Sequence, residues 1–275
     1  MFKNILILSI LTSLFVGCKS TEPITLPEQV IEIEDPDKIP TRPIYNASNT
    51  KEFDLIHTKL AVQFNWEKAY MYGQAEITLT PHFYTQKQLV LDARGMEINQ
   101  VQLMTKKEDL PVLTDLNYTY KDDKITIELP TSYTNSDTLQ VFIDYTAKPN
   151  ELETGGSDAI TSDKGLYFIN EKGEDKEKPQ QIWTQGETEN NSRWFPTIDK
   201  PNERCSQEMY ITVAEKYQTL SNGKLISSKN NSDGTRTDYW KQERPHAPYL
   251  FMIGVGEYAV INDTWNDIPL MYYVE

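Results

Sequence analysis

Apolar residues return at every second position in one short run after another, and this pattern restricts the chain to β-structure. In DLIHTKLAVQF, Ile56, Thr58, Leu60, Val62 and Phe64 fall on one face. QAEITLT does the same with Ala75, Ile77 and Leu79, and KITIEL with Ile125, Ile127 and Leu129. LQVFIDY alternates Leu139, Val141, Ile143 and Tyr145. Further runs are QLVLDA, INQVQLM, LYFI, QIWT, MYITV, TDYWKQ and YLFMIGVGEYAVI. No window of ten or more residues carries a helical stripe. In LSNGKLI, Asn222-Gly223 stands between apolar flanks and predicts a two-residue hairpin, because both residues accept positive φ. Many short strands with turn signals between them predict an all-β fold, a sandwich or saddle-like pair of sheets.

This pattern starts only after residue 44. Residues 1–17 read as an export signal, with Lys3 ahead of the apolar run ILILSILTSLFVG, which is short for a membrane span. The run ends LFVGC and resembles a bacterial lipobox, which would make Cys18 the lipidated first residue of the mature protein. The other possibility is plain signal cleavage, with Cys18 a bystander. Residues 18–44 are acidic and Pro-rich, lack aromatics and cannot bury a face, so they read as a tether. Residues 45–275 are the expected β domain. The chain would then be exported and anchored to a bacterial membrane through lipid alone, at the outer membrane or periplasm, or be extracellular. The final run, DIPLMYYVE, is apolar to its end and suggests a piece of a longer protein.

With Cys18 acylated, Cys205 has no disulfide partner and is expected to be a buried small hydrophobe. The formal net charge of −14 excludes nucleic-acid binding through a basic surface. It also disfavours adhesion to anionic lipid by charge. The charged loop NEKGEDKEKPQ lacks the ligand spacing of a calcium loop. The three histidines, His57, His82 and His246, are far apart, and none lies in H-E-x-x-H, so each is expected to be structural or exposed. C-x-x-C, G-x-S-x-G, G-x-G-x-x-G and P-loop motifs are absent, and no complete catalytic set is found in the chain.

The chemistry concentrates in TQGETENNSRWFPTIDKP, residues 184–201, which has neither the period of a strand nor that of a helix. QIWTQGE begins as a strand, which would put Trp183, Gln185 and Glu187 on one face. A carboxylate beside an amide can hold a primary ammonium. Two solvated polar residues at a strand end are the plainer alternative.

The stretch resembles the signature of the amino-terminal domain of zinc aminopeptidases related to aminopeptidase N and leukotriene hydrolase. That family carries T-Q-x-E, an Arg and F-P-x-x-D-x-P, matched here by Thr184, Gln185, Glu187, Arg193, Phe195, Pro196, Asp199 and Pro201. The L-S-N and Y-L…G-x-[FY] motifs follow in order, at Leu220, Ser221, Asn222 and at Tyr249, Leu250, Gly256, Tyr258. Thr197 and Lys200 depart from the common Cys and Glu.

The resemblance implies a saddle-like β-sandwich followed by a thermolysin-like catalytic domain that holds zinc, and none of that domain's motifs occurs here. It implies that Glu187, helped by Gln185, pairs with the free α-amine of a peptide substrate, so that single N-terminal residues are removed. Trp194 and Phe195 would anchor the loop, the prolines would stiffen it, and Asp199 would be a turn partner. By itself such a chain is expected to bind no metal and to be inactive. The alternative is a stand-alone β-sandwich lipoprotein that binds peptide or protein without catalysis. Epoxide hydrolysis of the leukotriene-hydrolase kind is disfavoured by Glu187, where that branch has Gln.

Overall fold

The computed structural model describes residues 50–275 except 109, 154 and 156–161. The signal, Cys18 and the tether lie outside the described residues. Seventeen strands and three single-turn 3-10 segments make up the described chain, and no α-helix occurs among these residues. The strands are β1 (Phe53–Asn65), β2 (Tyr70–Pro81), β3 (Gln86–Asp92), β4 (Met96–Lys107), β5 (Leu110–Asp115) and β6 (Tyr118–Lys121). They continue with β7 (Lys124–Tyr133), β8 (Leu139–Ala147), β9 (Leu166–Ile169), β10 (Gln181–Thr184), β11 (Cys205–Ala214) and β12 (Gln218–Ser221). The last are β13 (Lys224–Asn230), β14 (Thr235–His246), β15 (Ile253–Gly256), β16 (Ala259–Trp265) and β17 (Ile268–Val274).

Eight strands form the main sheet in the order β13-β14-β11-β1-β2-β8-β4-β5. A four-stranded sheet, β12-β15-β10-β9, and a three-stranded one, β3-β7-β6, accompany it, with β16-β17 as a separate hairpin. One continuous core joins the three larger sheets. It takes Leu60, Ile77, Val141 and Ile211 from the first, Ile182 and Val255 from the second, and Leu89, Leu91 and Ile125 from the third. Burying each such side chain contributes about 1.5–3 kcal/mol, which fixes the faces that the alternation predicts. The predicted inward positions of β2, β7 and β8 are all buried.

β1 departs from its predicted face. Thr58, Leu60 and Val62 are buried as expected, but Ile56 is 42% exposed while Phe53 and Leu55 are buried. The register against β2 shifts between Leu55 and His57. The bulge inserts one extra residue and exchanges inward for outward positions on its N-terminal side.

The Asn222-Gly223 hairpin is also corrected. β12 pairs with β15 in the four-stranded sheet, whereas β13 pairs with β14 in the main sheet, so the chain crosses between sheets here. Asn222 explains the crossover: its Nδ2 donates to the Leu250 carbonyl at 2.9 Å, and its Oδ1 accepts from the Met252 N–H at 2.8 Å. Gly223 has φ +87°, and an added Cβ would lie 1.9 Å from the Lys241 carbonyl oxygen. Gly223→Ala should therefore cost about 2 kcal/mol, read from the midpoint of urea unfolding. An unchanged midpoint would mean that the crossover can relax around a methyl group.

Cys205 is buried as expected, and burial pushes its thiol up to about 12. The three histidines are held by local partners: His57 by Ser206 and Glu208, His82 by Asp54, and His246 by Gln207.

Candidate functional site

β10 ends at Thr184, so the residues after it leave the sheet. The Thr184 Oγ1 accepts from the Ile253 N–H at 3.0 Å, and the Gln185 N–H donates to the Gly165 carbonyl at 2.9 Å. Gly186 is buried, and a Cβ there would sit 2.1 Å from the Tyr249 carbonyl oxygen and 2.6 Å from Asn191 Oδ1. Only glycine lets the chain pass so close, which is what places Gln185 and Glu187 on either side of this contact. Gln185 is half-buried and Glu187 exposed. The side chain of neither forms a hydrogen bond within the described residues. The peptide bond after Glu187 is cis. Trp183, one step back on β10, stacks on Tyr167 with ring centroids 4.4 Å apart.

The rest of the stretch forms a tightly packed corner. Trp194 and Phe195 are fully buried, and Phe195 stacks on Phe251 with centroids 5.3 Å apart. Pro196 is buried and Pro201 exposed. Arg193 is half-buried, and its Nε donates to Asn190 Oδ1 at 3.1 Å. Thr197 and Asp92 exchange backbone hydrogen bonds of 3.0 and 2.7 Å, which ties the corner to the end of β3. Lys200 reaches Glu189 Oε2 at 2.8 Å, so this departure from the family motif carries an ion pair of its own.

Two buried polar residues hold the corner. Asn191 is completely buried; its Nδ2 donates to the Pro248 and Phe251 carbonyls at 2.6 and 3.0 Å, and its Oδ1 accepts from the Trp194 indole at 2.7 Å. Asp199 is buried, and its Oδ2 accepts from the Ser192 N–H at 2.8 Å while Oδ1 has no partner among the described residues. Burial outweighs that hydrogen bond and raises the Asp199 carboxyl to about 6, with nearby Asp92 pushing the same way. Sequence reasoning placed Asp199 in the corner but missed Asn191 and Gly186. Small and amide residues beside T-Q-x-E were the available signal, and their role shows only against residues 248–251.

Residues 48–250 match the Peptidase M1 N-terminal domain. The chain belongs to the peptidase M1 family. Solved structures agree in fold. The chain is similar to the M1 zinc metallopeptidase from Deinococcus radiodurans at 16% identity and a TM-score of 0.64, over 78% of this chain and 44% of that one. A mutant of the Deinococcus radiodurans enzyme bound to a Tyr-Ser-Ala substrate gives 16% identity and 0.63, over 80% and 47%. A two-domain M1 zinc metallopeptidase mutant bound to L-arginine gives 15% and 0.66, over 83% and 48%. The M1 chain thus spans less than half the length of these structures. A comparison with curated proteins found no match. Among the described residues, no group of three or more His, Cys, Asp or Glu side chains is placed to hold a metal ion. What the described part of the M1 domain presents is a polar loop fixed on a packed corner.

Proposed function

We propose that this domain is the substrate-amine-recognising part of an exported zinc aminopeptidase that removes N-terminal residues from peptides. The observation that carries the reading is Glu187. It is exposed beside half-buried Gln185, on a loop whose flanks are locked by Gly186, Asn191 and the Thr197–Asp92 pairing. A carboxylate without a partner among the described residues, on a rigid support, is suited to take the ammonium of a free N-terminus. The Gln185 amide oxygen supplies a second acceptor. Zinc and the hydrolytic step belong, in this reading, to a catalytic domain that works with this one.

In the enzyme with its catalytic domain, Glu187→Ala should lower kcat/KM for peptides with a free amine about 10–100-fold, the worth of one charge-assisted hydrogen bond. Thermal stability should stay unchanged, because Glu187 is exposed and unpaired among the described residues. Unaltered kinetics on such peptides would remove Glu187 from amine recognition.

Export and anchoring form a separate part of the proposal. Cys18 is taken as the acylated residue, on the strength of the LFVGC sequence. Metabolic labelling with a radioactive fatty acid should mark the wild-type chain and leave Cys18→Ala unmarked.

A further inference from the structure

The turn between β2 and β3 is built in a way that amine recognition does not use. Phe83 is 70% exposed and Tyr84 77%, the two most exposed large apolar side chains of the domain among the described residues. They are consecutive residues of the turn. A soluble chain gains nothing from two adjacent aromatic rings in water, and such a pair suits a water–lipid boundary, where Phe buries its ring and Tyr keeps its hydroxyl among the headgroups.

The base of the turn is clamped to the point where the chain enters the domain. The His82 N–H donates to the Glu52 carbonyl at 2.8 Å, and His82 Nδ1 lies 2.7 Å from Asp54 Oδ2. Lys51 bridges Asp54 at 2.7 Å and Glu203 at 3.0 Å. The His82 ring packs on Phe83 with centroids 4.1 Å apart. The aromatic tip therefore sits beside residues 51–54, where the described chain begins.

The opposite end of β3 is Asp92, which bonds to Thr197 of the candidate site. β3 has seven residues, so tip and corner are separated by about 20 Å along this strand.

We infer that Phe83 and Tyr84 form an aromatic finger that inserts into a lipid surface and sets the domain on the membrane with the amine-recognising loop away from it. Placement beside the anchor rests on the proposed acylation of Cys18; the finger's own affinity for lipid does not. A net charge of −14 disfavours attraction to anionic headgroups as the driving force, so the contact is apolar and insensitive to salt.

The test uses residues 49–275, one compact unit that contains the core cluster of the described residues and lacks Cys18, so that acylation plays no part. Partition onto sucrose-loaded vesicles of phosphatidylcholine is measured by sedimentation over rising lipid concentration, at low and at high salt. The expected result is saturable binding, unchanged by salt, that falls about tenfold or more in the Phe83→Ser/Tyr84→Ser double variant. A matched variant on the exposed edge strand β13, Leu225→Ser/Ile226→Ser, should bind like wild type. Thermal unfolding confirms that both variants are folded. The inference is overturned if wild type fails to bind, or if the double variant binds as well as wild type. It is overturned equally if the double variant only converts a dimer to a monomer in lipid-free sedimentation, since a second copy would then cover the pair. Fatty-acid labelling at Cys18 reports on the anchor separately, so loss of the anchor and loss of the finger give different results.

Discussion

Asn191→Ala should destabilise the domain by about 3–5 kcal/mol, a large fraction of the stability of a typical domain. The substitution removes one side chain and strands three buried partners: the Pro248 and Phe251 carbonyls and the Trp194 indole N–H. Each costs about 1–3 kcal/mol when left unpaired away from water, and the buried site gives water little room to replace the amide. Asn190 provides the contrast. It is half-buried, and its two side-chain hydrogen bonds, to the Glu187 carbonyl and from Arg193 Nε, lie near solvent. Asn190→Ala should cost no more than about 1 kcal/mol. Urea unfolding of both variants checks the pair. Equal losses would mean that the corner is not organised around Asn191. A second effect follows for the enzyme with its catalytic domain: Asn191→Ala should also weaken peptide binding, because Gly186 packs against Asn191 and carries Gln185 and Glu187 on its flanks.

Asp199→Asn should change how stability depends on pH. In the folded domain the Asp199 carboxyl titrates near 6, raised by burial, whereas in the unfolded chain it titrates near 4. Between these values the folded state holds a proton that the unfolded state has released. Its contribution to stability is therefore complete below about pH 4 and is lost as pH rises through about 6. The loss amounts to roughly 3 kcal/mol, from a difference of about two pH units. Asparagine keeps an oxygen for the Ser192 N–H and does not titrate. The stability of Asp199→Asn relative to wild type should rise by roughly that amount from pH 4 to pH 7 and then level off. Other carboxylates, such as Asp54 and Asp238, which cations and hydrogen bonds lower, are common to both proteins and cancel in the difference. Parallel stability curves over this range would show that Asp199 titrates in the folded domain as it does in the unfolded chain, and would require a partner for its Oδ1.

Much of the fold was legible because a period of two is a local property. The inward faces of β2, β7 and β8 follow from single runs of sequence, since neighbouring side chains on a strand must point to opposite sides. The same rule failed in β1, where a bulge at Leu55–His57 turned Ile56 outward; nothing in DLIHTKL marks the extra residue. Of Asn222-Gly223 only Gly223 takes the positive φ that the pair predicts, and the partner strand was wrong, because the sheet that β13 joins depends on β14. The parallel pairing of β1 with β11, which sets His57 opposite Ser206, had no sequence signal of its own.

In the candidate site, residue type made Gln185 and Glu187 readable as groups able to take an ammonium, and T-Q-x-E with F-P-x-x-D-x-P placed them in the M1 family. The same letters could not separate Asn190 from Asn191. The sequence by itself determined which faces seek the core and which short stretch carries the polar chemistry, because periodicity, turn preference and side-chain chemistry act over a few neighbouring residues. Only the tertiary structure decided which strands meet and which polar groups are sealed from water. Asn191 is buried because residues 248–251 close over it, and Asp199 holds its proton to about pH 6 because the packed corner excludes the solvent that would stabilise its charge.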